Sequence, residues 1–468
     1  MGKRGLLGII WYIVGIVLLV LIIATWVFYA GGLLWFKLNT YRKIGTIGSL
    51  FGYISLYLFV LTTFVAVRLS LLERAYGLNN LIRFHRKVGP FVVICVIVHA
   101  ILKIWAYSLS TGETWSWDFA FQFFPYTWDL KENAFILARW ALLIMITSVA
   151  VAQVGRIILP FRFWKSLHLA MYWVVAAGFL HAIAVSSTIQ TFPVLGMWAI
   201  LAALWTSAAG YRLNYLKVRT KNQRWILESV QYETYDTHTC RFIRRGDPGS
   251  FSSWAPGQFA LFRMKSKLWG WSEPHPFTLS CIPGEGVICC TVKGVGNFSK
   301  RLRTAHPGTE FLCEGPYGVF TPDFTKEKKL VFIAGGIGVT PFLSMIRYAV
   351  HNNLPVTIDL IWGNKAKRDI IAYSELSRYV KKFPGLRVVH VLSEQKITEK
   401  LLEETSSDGF FWEQGFVSGA ILKKYVDPDG ASFYLCGPAP MQRFVLKELN
   451  EVFGVSRRRV KRELFLLF

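Results

Sequence analysis

The chain has 468 residues, with 53 Lys and Arg against 29 Asp and Glu, a net charge of +24 and a mean hydropathy of +0.36. These values exclude a disordered chain, a collagen-like fibre and an ordinary single-domain soluble enzyme. Residues 1–216 carry 17 basic and 5 acidic side chains, residues 217–468 carry 36 and 24, so the first part reads as membrane and the second as soluble α/β protein. Seven cysteines form no CxxC pair, which argues against a zinc module or disulfide framework. The basic excess brings no nucleic-acid recognition motif; attraction to anionic membrane lipid accounts for it.

A bilayer core about 30 Å thick needs roughly 20 apolar residues in a helix. Charge-free runs at 5–36, 44–67 and 88–102, the last extending to 107, meet this, and 134–155 carries only Arg139. The run 166–211 suffices for two spans, divided by the polar stretch 186–191 and Pro193. Six helices are predicted, the first retained as a span because no cleavage site stands out. Basic clusters at Lys3 and Arg4, 68–87, 156–165 and 212–224 put the N-terminus in the cytoplasm, with Lys37, Arg42 and Lys43 outside against the rule. The connection after the third span holds eight aromatic residues between Trp115 and Trp128, read as an interfacial belt or a lid.

Of nine histidines, His85 and His99 fall on the third span and His168 and His181 on the fifth. Polar residues inside a bilayer are costly and mark function. Separations of 14 and 13 residues set the members of each helix roughly 20 Å apart along its axis. His85 would then meet His168 and His99 would meet His181. Two facing imidazoles at one level are axial haem ligands, and two levels make a stack. Fourteen residues return to the starting face within roughly 40°, whereas thirteen miss it by roughly 140°. The fifth span therefore needs a local irregularity, for which Gly178 is the candidate site, or else the two haems take different orientations. Lys103 and Arg139 are candidate partners for haem propionates, or else they snorkel to the interface.

These histidines, with the string RFHRKVG around His85, resemble the ferric reductase and NADPH oxidase family. The resemblance implies a six-helix domain holding two b-type haems through paired histidines, then a flavin barrel and a nucleotide domain. In that family a segment similar to His275-Pro276-Phe277-Thr278 lies along the flavin. The following Lys293-Gly-Val-Gly296-Asn297-Phe-Ser299-Lys300 offers glycines, a hydroxyl and lysines for the FAD pyrophosphate.

Residues 330–341 read as an apolar strand, a glycine turn at Gly335, Gly336 and Gly338, and a helix opening at Thr340 and Pro341. That order is a dinucleotide phosphate loop. Parallel strands are predicted at 356–362, 386–392 and 432–435 with helices between them, assembling a doubly wound sheet. After the second strand, Lys365, Lys367 and Arg368 lie where a 2′-phosphate would sit, favouring NADPH with NADH open. Cys436-Gly437-Pro438 resembles the family's segment beside the nicotinamide, which implies a catalytic place for Cys436. The tail ends in Phe465 and Phe468, either of which resembles the family's flavin-covering aromatic.

The expected organisation is a haem-binding transmembrane domain at 1–216, an FAD-binding β-barrel at 217–322 and an NAD(P)H-binding α/β domain at 323–468. The expected function is a plasma-membrane oxidoreductase, its dehydrogenase half cytoplasmic. It would pass electrons from NAD(P)H through FAD and two haems to dioxygen or a ferric chelate outside. A haem conduit serving a quinone or periplasmic protein, and a non-catalytic haem sensor or scaffold, are the competing readings. No nucleic acid and no obligatory activator subunit are expected.

Overall fold

The computed structural model describes residues 3–29, 31, 33–112, 129–153, 161–186, 191–222, 224–244, 251–266, 270–284, 286–405 and 409–463. The chain divides into two compact units, Met1–Leu216 and Lys217–Phe468. The aromatic segment 115–128 and the phenylalanines at 465 and 468 lie outside the described residues.

The first unit is helical: α1 (Lys3–Tyr29), α2 (Thr40–Ala66), α3 (Ser70–Tyr76), α4 (Leu78–Thr111), α5 (Leu130–Gln153), α6 (Phe161–Leu169), α7 (Met171–Val185) and α8 (Phe192–Asn222). Among the described residues six segments are long and apolar enough to span a bilayer: α1, α2, α4, α5, α6 with α7, and α8. Apolar residues turn both inward and outward on these helices. On α7, Val174, Val175 and Phe179 are buried while Trp173, Leu180 and Ile183 stay exposed, which suits a lipid surround.

Helix α4 begins ten residues before its charge-free run, so His85 lies well inside it. Positive φ at Gly77 and Gly112 marks its two ends, and Pro90 is accommodated within. Helix α2 packs closely on α4 because Gly45, Gly48 and Gly52 face it. A Cβ on them would lie 3.4 Å from Ala106 Cβ, 3.2 Å from Leu102 Cβ and 2.7 Å from His99 Nδ1. Small residues allow this approach where no hydrophobic effect drives helices together.

The fifth span is interrupted, but at Ala170 and not at Gly178. The Ala170 N–H is shared between the carbonyls of Ser166 (3.3 Å) and Leu167 (3.1 Å), a tightened turn that separates α6 from α7. Gly178 sits inside uninterrupted α7, where a Cβ would meet only Leu56 Cδ1 at 3.5 Å.

The second unit opens with a seven-stranded antiparallel sheet. Its strands are β1 (Arg224–Tyr232), β2 (Thr237–Ile243), β3 (Phe259–Ser266), β4 (Gly270–Trp271), β5 (His275–Thr278), β6 (Val287–Lys293) and β7 (Glu310–Tyr317), with α9 (Asn297–Arg303) between the last two. The order is β4-β3-β7-β1-β2-β6, and β5 also pairs with β3. Trp225, Phe242, Phe262 and Phe311 fill its core, each contributing about 1.5–3 kcal/mol on burial.

A six-stranded parallel sheet follows: β8 (Lys329–Gly335), α10 (Thr340–His351), β9 (Thr357–Asn364), α11 (Tyr373–Lys382), β10 (Leu386–Leu392), α12 (Glu399–Thr405), β11 (Phe411–Gln414), α13 (Gly419–Tyr425), β12 (Ala431–Cys436), α14 (Ala439–Phe453) and β13 (Val460–Glu463). Both faces are covered. Phe332, Leu360 and Tyr434 pack on one side and Val331, Ile333 and Leu435 on the other, so these strands read as continuous apolar runs. Strands β11 and β13 are additions to the sequence prediction. All seven cysteines are free and buried.

Candidate functional site

In the membrane unit the four histidines meet as two pairs. The ring centroids of His85 and His168 are 5.8 Å apart with planes at 86°. Those of His99 and His181 are 6.4 Å apart at 87°. Two imidazoles that each reach a shared metal at about 2 Å place their ring centres about 6 Å apart. Both pairs therefore fit an axially ligated haem.

The second nitrogens are held from neighbouring helices. His99 Nδ1–H donates to the Gly48 carbonyl at 2.7 Å and His181 Nδ1–H to the Ala134 carbonyl at 3.2 Å. A carbonyl only accepts, so these bonds fix the tautomer and leave each Nε2 lone pair for a metal. His168 Nδ1 lies 3.3 Å from the Ser148 hydroxyl, and Trp164 stacks on the same ring at 5.3 Å and 16°. The Thr62 carbonyl stands by His85, whose Nδ1 closes no hydrogen bond. Gly48 and Thr62 on α2 are fourteen residues apart, the spacing of His99 and His85 beside them, whereas Ala134 and Ser148 on α5 are fourteen apart against thirteen for His181 and His168. These supports were missed in the sequence, since a backbone carbonyl has no residue signature. Lys103 donates to Ser49 Oγ at 2.6 Å.

In the antiparallel sheet, edge strand β5 brings His275, Pro276, Phe277 and Thr278 against β3. The His275 ring stacks on Phe298 at 3.9 Å and 19°, and Phe277 lies 6.0 Å from Phe298 at 21°. The half-buried His275 and Phe277, backed by the buried Phe298, form an aromatic shelf that suits a planar ring system. Burial holds the His275 pKa down at about 4, so its ring is neutral at pH 7.

The glycine loop beside it is largely self-satisfied. Ser299 Oγ accepts from Gly296 N–H and donates to the Gly296 carbonyl, both at 2.9 Å, and Lys293 pairs with Asp236 at 3.1 Å. The Ser299 hydroxyl thus caps its own helix, which opens at Asn297, at the helix start where the sequence reading placed it.

The parallel sheet runs β11-β10-β9-β8-β12-β13. Chain order reverses between β8 and β12, and in such sheets ligands bind outside the carboxyl ends of the strands at that point. Gly335, Gly336 and Gly338 lie at the end of β8 and Cys436, Gly437 and Pro438 at the end of β12. The two loops touch. A Cβ at Gly338 would come 2.6 Å from the Cys436 carbonyl oxygen and one at Gly335 would come 2.2 Å from Met441 Sδ. Thr340 and Pro341 open α10, with Thr340 Oγ1 donating to the Ile337 carbonyl at 3.1 Å.

Burial, with Glu463 second, pushes the Cys436 thiol pKa well up. Cys436 is fully buried and Pro438 exposed, so the turn's backbone and the Pro438 ring form the surface there. Lys365 is paired with Glu394 at 2.8 Å, Arg368 lies over the Tyr235 ring at 5.7 Å and Lys367 over the Tyr373 ring at 5.4 Å. The cluster read as a 2′-phosphate site is thus already engaged within the protein.

Residues 51–179 match the family described as ferric reductase like transmembrane component, and residues 332–447 match the oxidoreductase NAD-binding domain. The chain has the make-up of a ferric reductase/NADPH oxidase-type fusion. Over 222 residues, 46% of the fusion and 60% of the relative, it is 28% identical to the 2-halobenzoate 1,2-dioxygenase electron transfer component of Burkholderia cepacia. Over 174 residues, 35% of the fusion and 54% of the relative, it is 30% identical to NADH-cytochrome b5 reductase 1 of Aspergillus terreus. The fusion thus spans little more than half the length of these curated relatives. The FAD/NAD-binding domain of a nitric oxide dioxygenase from Vibrio cholerae O1 biovar El Tor superposes with a TM-score of 0.44 at 19% identity, covering 52% of the fusion and 97% of that chain. The fusion is a multi-pass membrane oxidoreductase whose second unit is an FAD- and NAD(H)-binding reductase domain.

Proposed function

We propose that the fusion carries electrons from cytosolic NADH across the membrane to an anionic ferric chelate, using one FAD and two b-type haems. The observation that carries this reading is the presence of two facing histidine pairs, each at the separation an axially ligated haem requires. When bound, FAD takes two electrons together from the nicotinamide and releases them singly, which haem accepts.

The chain's own part is placement. His85 with His168 and His99 with His181 hold the haems, and the β5 shelf of His275 and Phe277 with Phe298 holds the flavin ring. The loops ending β8 and β12 receive the nicotinamide nucleotide. Histidine on both sides leaves no open coordination position, which favours an acceptor that takes an electron at a haem edge.

The ferric chelate is favoured by charge. Lys37, Arg42 and Lys43 cluster at the start of α2, the end of that helix which also carries Gly48, the support of His99. NADH is favoured over NADPH because Lys365 is already neutralised by Glu394. By the positive-inside rule the other four basic clusters put the N-terminus and the dehydrogenase half in the cytoplasm at the plasma membrane, which leaves this basic end outside as the exception to the rule.

The test is an anaerobic spectrum of the purified chain before and after NADH, with haem and flavin counted, followed by competition between dioxygen and ferric citrate. Two haems and one FAD per chain, reduced by NADH and reoxidised preferentially by ferric citrate, are expected. Fewer than two haems would defeat the paired-histidine reading. Superoxide formation undiminished by ferric citrate would transfer the acceptor role to dioxygen.

A further inference from the structure

The soluble unit contains a polar group that the cofactor loops do not explain. Arg347 lies on α10, two turns after Thr340, and its guanidinium reaches three acceptors. Nε donates to Glu375 Oε1 at 2.8 Å, Nη2 to Glu375 Oε2 at 2.5 Å, and Nη1 to the Ser280 carbonyl. Ser280 ends the segment that begins with the His275 strand, whereas Glu375 belongs to α11 of the nucleotide half. One side chain therefore ties the flavin shelf to two helices of the parallel sheet.

Neighbouring contacts repeat the tie. Ser344, one turn earlier on α10, donates from Oγ to the Cys281 carbonyl at 3.1 Å, and the bond is buried. Ala372 N–H, at the start of α11, donates to Glu233 Oε2 of the antiparallel sheet at 3.2 Å. Burial opposes charge on Arg347, yet Glu375 outweighs it and holds the guanidinium pKa up. Conversely Arg347 outweighs the burial of Glu375 and holds that carboxyl below its usual range. Both groups are therefore charged at neutral pH and fixed by a bidentate bond that only a planar fork can make.

We propose that Arg347 is a positioning residue for electron transfer from nicotinamide to flavin: by gripping the Ser280 carbonyl from the helix that starts at the phosphate loop, it sets the spacing between nucleotide and flavin sites. The proposal rests on the reading of the soluble half as a nicotinamide–flavin reductase. Transfer between two held partners is steeply sensitive to spacing, a displacement of about 1 Å being enough for roughly a hundredfold loss. Lysine at this position keeps the charge beside Glu375 but lacks the fork that also reaches Ser280.

The experiment uses the full-length chain. Rapid-mixing reduction of bound FAD by saturating NADH is measured for the unsubstituted protein, Arg347→Lys and Ser344→Ala, with FAD content and the apparent NADH Kd recorded. Hydrogen exchange across residues 275–284 is measured in parallel on flavin-free protein. Arg347→Lys is expected to reduce flavin about tenfold more slowly with FAD content and Kd within about twofold, Ser344→Ala about threefold more slowly, and both to exchange faster in that segment.

Unchanged reduction rates in both variants, or losses that only track lost FAD, overturn the proposal. If Arg347→Lys does not fold, Ser344→Ala alone decides by the same criteria. Flavin that stays oxidised in the unsubstituted protein with NADH overturns the underlying reductase reading and the proposal with it, an outcome distinct from variants that match an active parent.

Discussion

The histidines of the membrane unit and those buried in the soluble unit show two ways of enclosing an imidazole. In the membrane unit each ring faces another at about 6 Å, and His99 and His181 donate from Nδ1 to carbonyls. In the soluble unit His390 is fully buried among the rings of Trp362, Tyr373, Phe410 and Trp412. Neither of its nitrogens has a hydrogen-bond partner. Burial alone therefore does not mark a ligand. A facing imidazole sets the four membrane histidines apart, joined at His99 and His181 by a tied second nitrogen.

That contrast is broken most severely by removing a facing ring. His99→Ala should lower haem from two to one per chain while NADH still reduces the flavin, as pyridine haemochrome counting and flavin bleaching would show. Loss of both haems would mean that the two pairs are not independent.

Next in size is Gly52→Leu. A Cβ there lies 2.7 Å from His99 Nδ1, so the larger side chain should displace the ring and remove more than half of that haem. Equal haem content in variant and parent would contradict the packing of α2 on α4.

A smaller effect is expected from Ser148→Ala, which removes the hydroxyl 3.3 Å from His168 Nδ1 but leaves Trp164 stacked on the ring. Loss of haem to apomyoglobin should be roughly tenfold faster, the lower end for a supporting residue. The His99 level should keep its haem at the parent rate.

The smallest change sharpens the other side of the comparison. His390→Phe should leave haem and FAD content unaltered and neutral-pH stability within about 1.5 kcal/mol. Burial lowers the His390 pKa to about 3, whereas in the unfolded chain it lies near 6.5. The unfolded state thus binds the extra proton between these values. The stability due to a neutral His390 is complete above about pH 6.5 and is lost as pH falls toward about 3. Urea titrations of parent and variant across that window should show a shallower acid decline in the variant.

The six spans, the pairing of the histidines and the doubly wound sheet were legible because each follows from periodicity, charge-free length or residue type. The break at Ala170 was legible only as a need. Thirteen residues do not return to one face, but nothing in the string SLHLAMYW says which peptide bears the turn. The supporting carbonyls of Gly48 and Ala134 were invisible because the backbone is common to every residue. Arg347 was missed for a related reason: Glu375 and the Ser280 carbonyl come from segments far away in the chain. The pairing of Lys365 with Glu394 was not legible either, because Glu394 follows β10 and comes beside that loop only once β9 and β10 pair.

The burial of every cysteine has a practical outcome. The folded chain offers no thiol to an alkylating reagent, so each label it acquires records an opening event. One of these reporters lies on a membrane helix and the others lie in or beside the two sheets of the soluble unit. The position of a label therefore tells which layer came apart, and its rate tells how often.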